Sequence, residues 1–94
     1  MLAEAATILV VDDQEGNRRL ATAVLEEIGY RVLSADGGSQ AVAMALAQLP
    51  HLVLMDIEMP GMDGVTALRA LRADQRTATL KVIAVTGHAS QEDA

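Results

Sequence analysis

Short apolar runs alternate along this chain with segments whose apolar residues recur at helical spacing. Ile8-Leu9-Val10-Val11 is uninterrupted, rich in β-branched residues and followed by acids, the pattern of a strand buried on both faces. From Gln14 to Gly29 the period changes: Leu20, Ala21, Val24, Leu25 and Ile28 share one helical face, and Gly29 supplies the stop. Arg31 to Ala35 is a weaker strand of mixed polarity, which places it at a sheet edge. Gly37-Gly38 makes a turn, and Ser39 to Leu49 predicts a second helix with Val42, Ala45, Leu46 and Leu49 inward, ended by Pro50. Leu52-Val53-Leu54-Met55 is another fully apolar strand. A turn-rich loop follows, Met59-Pro60-Gly61-Met62-Asp63-Gly64, with Asp63 expected to cap a helix that uses Val65, Leu68 and Leu71. Val82-Ile83-Ala84-Val85 is the fourth strand, and after Thr86-Gly87 the sequence turns polar.

The order β-α-β-α-β-α-β, with apolar interior strands, predicts an α/β fold: a doubly wound parallel sheet with helices on both faces and right-handed crossovers. In such sheets ligands bind beyond the carboxyl ends of the strands, where the strand order reverses. Three strands end there in polar groups: the first in Asp12-Asp13, the third in Asp56, the fourth in Thr86. Each has a bland explanation by itself. Asp12 or Asp13 alone would cap the first helix, Asp56 would be a loop-facing acid, and Thr86 a hydroxyl satisfied by backbone. Coincidence at three strand ends is a poorer account. Three carboxylates so close repel one another unless a cation sits among them, and oxygen ligands without His or Cys suit a hard ion, magnesium first.

Composition narrows the reading. The chain has 94 residues, enough for one domain. It is 51% apolar, with Tyr30 its single aromatic residue, so the core must be aliphatic and closely docked. A net charge of −6 with scattered basic residues argues against nucleic acid as a partner. The absence of cysteine excludes disulfides, thiolate metal sites and a thiol nucleophile. Met1 to Ala6 has no signal-peptide pattern, and no apolar run approaches the ~20 residues that span a bilayer. A cytoplasmic protein without a membrane segment is expected.

The runs Ile8-Leu9-Val10-Val11-Asp12-Asp13, then Leu52 through Asp56-Ile57-Glu58-Met59-Pro60-Gly61-Met62-Asp63-Gly64, then Val82-Ile83-Ala84-Val85-Thr86 resemble the successive signatures of bacterial two-component response-regulator receiver domains. The likeness runs from about Thr7 to the last residue. It implies a flavodoxin-like topology with strand order 2-1-3-4. It implies that Asp56 is the phosphoacceptor, charged from a phosphohistidine on a histidine kinase or histidine phosphotransfer protein, or from a small acyl phosphate. It implies Mg2+ held by Asp13 directly, by Asp12 largely through water, by Asp56 and by the backbone carbonyl of Glu58. Thr86 matches the switch hydroxyl that turns toward the phosphoryl group. The side chains of Glu58 and His88 match positions that border that group and tune its hydrolysis, with a solvent-exposed loop histidine the equal alternative for His88. On the first helix, Arg18 and Arg19 match a face that docks the phosphodonor, with a solvated helix face as the equal alternative. His51, at a helix-to-strand turn, reads as surface.

A complete receiver continues past the fourth strand with a fourth helix, a fifth strand and a fifth helix. This sequence ends where that fourth helix begins, so residues 1–94 read as a C-terminally incomplete receiver domain, without the family's lysine and aromatic switch residue. Slower phosphorylation and an exposed apolar fourth strand, inviting self-association, are expected. The domain promotes its own phosphorylation and dephosphorylation but is not expected to be a turnover enzyme. Rival readings fit less well. A haloacid-dehalogenase-type phosphatase wants Asp-x-Asp after the first strand, and nucleotide-binding modules want glycine-rich loops there. A flavodoxin-like carrier wants a phosphate loop that Asp12-Asp13 would repel. The serious competitor is a degenerate receiver-like interaction module that is never phosphorylated.

Overall fold

The computed structural model describes residues 5–56 and 64–85. Its elements alternate without exception: β1 (Thr7–Val11), α1 (Glu15–Ile28), β2 (Arg31–Ala35), α2 (Gly38–Gln48), β3 (Leu52–Asp56), α3 (Gly64–Ala73) and β4 (Lys81–Val85). The four strands form one parallel sheet in the order β2-β1-β3-β4. The order reverses between β1 and β3, which pair in register from Ile8 opposite Leu52 to Val11 opposite Met55. β2 is an edge strand, as its mixed polarity predicts.

Strand alternation divides the sheet's residues between two faces. Leu9, Val11, Val53 and Met55 point to one face, where Ala41 and Ala45 of α2 and Ala67 and Leu71 of α3 close a fully buried core. The three alanines carry no long side chain, which lets two helices dock near the sheet and near each other. α1 covers the opposite face, over β1 and β2.

The helices depart from the expected faces at several positions. In α2 the buried residues are Gly38, Ala41 and Ala45, whereas Leu49 is 54% exposed. Leu49 does not belong to the helical face because it is the C-cap, with φ 48° in the left-handed region, and its N–H donates to the Ala45 carbonyl. In α3, Ala67 and Leu71 are buried and Val65 is 47% exposed. In α1 no residue is fully buried: Ala21 and Leu25 are half-buried, but Leu20, Val24 and Ile28 stand open at 67%, 50% and 65% exposure. That apolar stripe runs along the flank of α1 that continues from Asn17 and Ala21, which with Leu54 and Val85 line a cleft. The sheet surface beyond it, over β3 and β4, has no helix on this face among the described residues.

Turns tie the elements together by specific bonds. Gly29, with φ 118°, ends α1 by donating to Leu25 and Glu26 carbonyls. After α3 the buried Thr77 hydroxyl donates to the Leu71 carbonyl, and Arg72 donates to the carbonyls of Thr77 and Ala78. The Arg76 guanidinium on Asp74 holds that carboxyl at about 2, below its ordinary value. His51 is exposed, as expected for a turn, yet it has a structural role. Its Nδ1 accepts the Thr7 N–H at 2.9 Å and its own N–H donates to the Thr7 carbonyl at 2.8 Å, closing the β1–β3 pair at the end remote from the acids.

Candidate functional site

At the carboxyl end of the sheet the chain leaves β1 into Asp12 and Asp13, and the adjacent β3 ends in Asp56. Because β1 and β3 pair in register, their last residues lie side by side, and acids remote in sequence meet there. One carboxylate oxygen from each of Asp12, Asp13 and Asp56 lies within 4.8 Å of the others. Asp12 and Asp56 are half-buried and Asp13 is exposed. Beside them lies a cleft of about 240 Å³ between α1 and the sheet, lined by Val10, Leu54, Ala21 and Val85 together with Asp12 and Asp56. The acids thus border an apolar, poorly screened wall on one side and solvent on the other.

The loop that carries the acid pair is organised around Asp12. Its carboxylate accepts the Gln14 N–H at 2.9 Å, a two-residue turn that the short aspartate side chain makes locally, and accepts the Asn17 amide at 3.3 Å. Gln14 is the N-cap of α1 and supplies no side-chain cap, so Asp12 performs part of that task from two residues upstream. The capping reading and the site reading of Asp12 are therefore compatible. Asn17 and Arg18 are the residues that sequence reasoning did not assign to the loop. Arg18 donates to the Asp12 carbonyl at 2.8 Å from a part-buried position, so its guanidinium reaches back to the loop. Arg19 is exposed and paired with Glu15 at 3.8 Å.

The donor set fits a hard divalent cation: three carboxylates, oxygen only, gathered at one point and open to water on the Asp13 side. Glu58, Asp63, Thr86 and His88, which the sequence analysis also singled out, lie outside the described residues.

The model of the response regulator receiver domain family matches residues 8–94. The chain belongs to that family. Protein PilH of Pseudomonas aeruginosa is 43% identical over 88 residues, spanning 94% of this chain and 73% of PilH. Sensor protein GacS of Pseudomonas syringae is 40% identical over 88 residues, covering 90% of this chain but 10% of GacS, so there the likeness concerns one small part of a larger protein. Among solved structures, the receiver domain of sensor histidine kinase PA1611 from Pseudomonas aeruginosa superposes with a TM-score of 0.86 at 37% identity, over 96% of this chain and 74% of that one. That neighbour has a magnesium ion coordinated in its active-site cleft. The receiver fold with strand order 2-1-3-4 is thus shown by topology and by relatives alike. No described helix is long and apolar enough to cross a membrane.

Proposed function

We propose that this receiver domain accepts a phosphoryl group on Asp56, with Mg2+ held among Asp12, Asp13 and Asp56, as a step in two-component signalling in the cytoplasm. The observation that carries the reading is the meeting of the three carboxylates at the tips of two adjacent strands. Asp13 forms no hydrogen bond or ion pair to any described residue, whereas both oxygens of Asp12 accept bonds, one from the Gln14 N–H and one from the Asn17 amide of α1. That difference supports Asp13 as the direct ligand and Asp12 as one acting largely through water, with the Glu58 carbonyl as a further ligand. The ion, when bound, neutralises charge on the phosphoryl oxygens.

The chain's own groups supply position. An oxygen of Asp56 attacks phosphorus in line while the P–N bond to a donor histidine breaks and its electron pair leaves on the imidazole nitrogen. The donor is a histidine kinase or histidine phosphotransfer protein, or a small acyl phosphate in vitro. The product carries about −1.5 to −2 charge at a crowded acidic site. Thr86 answers it with one hydrogen bond, and the side chains of Glu58 and His88 set water's access to it. The domain transfers a signal and does not turn over a substrate.

Incubation with magnesium and acetyl phosphate, read by intact mass, tests this. The expected result is a phosphoryl adduct on the wild type and none on Asp56→Asn. No adduct under any condition would favour the competing reading, a receiver-like interaction module that is never phosphorylated.

The 94-residue chain is also proposed to self-associate. Val82 packs into the core, so alternation puts Ile83 and Val85 on the opposite face of β4, where they are 51% and 46% exposed. Among the described residues β4 is an edge, pairs with β3 in unbroken register and contains no proline, and it borders a sheet surface that no described helix covers, flanked by the Leu20, Val24 and Ile28 stripe. Two copies related by a two-fold axis can each offer an apolar helix flank and an apolar sheet surface to the other. Light scattering should find a dimer for the wild type and a monomer for Ile83→Lys. A wild type that stays monomeric throughout the micromolar range removes the proposal.

A further inference from the structure

Asp12 is fixed on every side. Its N–H donates to the Ala35 carbonyl at 3.2 Å, its carboxylate accepts from Gln14 and Asn17, and its carbonyl accepts from Arg18. The bond from Arg18 differs from the others in what it controls. The Asp12 carbonyl and the Asp13 N–H belong to one planar peptide unit, so holding that oxygen fixes the plane from which Asp13 departs. Asp13 has no bond of its own to a described residue to orient it. Arg18 is the fourth residue of α1, and helical side chains lean back toward the helix N-terminus, which brings its guanidinium over the loop.

We infer that Arg18 is a positioning residue for the acidic site: by gripping the Asp12 carbonyl it sets the peptide that aims Asp13 at Asp56. This rests on the metal reading given above and adds a residue to it.

Arg18 also brings a positive charge to the loop that carries Asp12 and Asp13, and the two effects have opposite signs. As a mere cation it repels a divalent ion, so its removal would tighten magnesium binding. As a positioning group it prepares the site, so its removal weakens binding. The sign of the change therefore decides. Outer partners that orient metal ligands commonly carry about 10-fold to 100-fold in affinity. The lower end is expected here, because the bond reaches Asp13 through the backbone and the site is open to water.

The experiment measures magnesium affinity by calorimetry for the wild type, Arg18→Ala and Arg18→Lys, with melting in EDTA alongside. Expected are a roughly tenfold weaker Arg18→Ala, most of the affinity recovered in Arg18→Lys, and little change in melting without metal, since alanine is the best helix former. Equal or tighter binding by Arg18→Ala overturns the inference, and so does a loss that merely follows a lower melting temperature. Should Arg18→Ala not fold, Arg18→Gln, neutral and too short to reach as an arginine does, takes its place with the same expectations. A metal-free arm separates the two proposals: the 15N shift of the Asp13 amide reports the bond to the Asp12 carbonyl. It should move in Arg18→Ala and return in Arg18→Lys. If the wild type binds no magnesium, the metal reading falls, and an unmoved Asp13 amide then overturns the positioning role separately.

Discussion

Replacing Asp13 by asparagine is expected to make the metal-free protein more stable and to remove most of its response to magnesium. Without a cation, three carboxylate oxygens sit within 4.8 Å of one another, and each pair repels by about 1 kcal/mol even at water-like screening. Asp13 takes part in two of the three pairs but is exposed, so the net relief is about 1 kcal/mol at low salt, or roughly 5 °C in melting temperature for a domain of this size. Asparagine keeps the shape and removes the charge, so packing is not disturbed. In excess magnesium the order should close or reverse. A ligand at about 100 times its Kd adds about 2.7 kcal/mol to the wild type. A variant that has lost one of the three carboxylates, and with it tenfold or more in affinity, gains much less. Melting curves in EDTA and across a magnesium series check both halves. Parallel curves for the two proteins at every concentration would show that Asp13 is not part of a metal site. A destabilised Asp13→Asn in EDTA would show that the repulsion is already relieved in the metal-free protein.

The strands and the acids were legible for the same reason. A strand inside a parallel sheet is apolar throughout, so β1 and β3 stand out as runs, as does the more exposed strand β4, and the first polar residue after the β1 run and after the β3 run marks a carboxyl end. Asp12, Asp13 and Asp56 are those residues, and the parallel topology implied by alternating elements brings the tips of neighbouring strands to one edge. The helix faces were less legible. Apolar spacing shows that Leu20, Ala21, Val24, Leu25 and Ile28 share a side of α1, but not how wide a strip the sheet beneath can cover. Here it reaches Ala21 and Leu25 and leaves Leu20, Val24 and Ile28 open. Alanine caused the other misplacements. Ala41 and Ala67 fill the core where larger residues were expected to dominate, because close helix docking selects small side chains that carry little periodic signal. Arg18 was visible as a basic residue near the site, and nothing in its neighbours showed that it turns to the Asp12 carbonyl. The lean of helical side chains toward the N-terminus was the one available hint.

The same alanine core makes Leu9→Ala the most damaging single change expected in the described residues. Leu9 is 0% exposed at the middle of β1, the central strand that pairs with both β2 and β3, and its side chain enters the core on the α2 and α3 side. Truncating a buried leucine costs about 2–5 kcal/mol, and the figure rises with the volume of cavity that remains. Collapse into the gap needs neighbours long enough to reach it, but Ala41, Ala45 and Ala67 end at Cβ and cannot extend. Val11 and Val53 are stiff at χ1 and held by the sheet. The loss should therefore fall near the top of the range, about 4 kcal/mol, or roughly 20 °C in melting temperature. Domains of this size hold about 5–15 kcal/mol in all, so a large fraction of the variant would be unfolded on modest warming. Thermal and urea melts of Leu9→Ala beside Leu9→Met measure this. Methionine refills most of the volume and is expected to recover more than half of the loss. A loss under about 1.5 kcal/mol for the alanine variant would mean that the helices close onto the sheet after truncation, and that the alanine-lined core is more compliant than its packing implies.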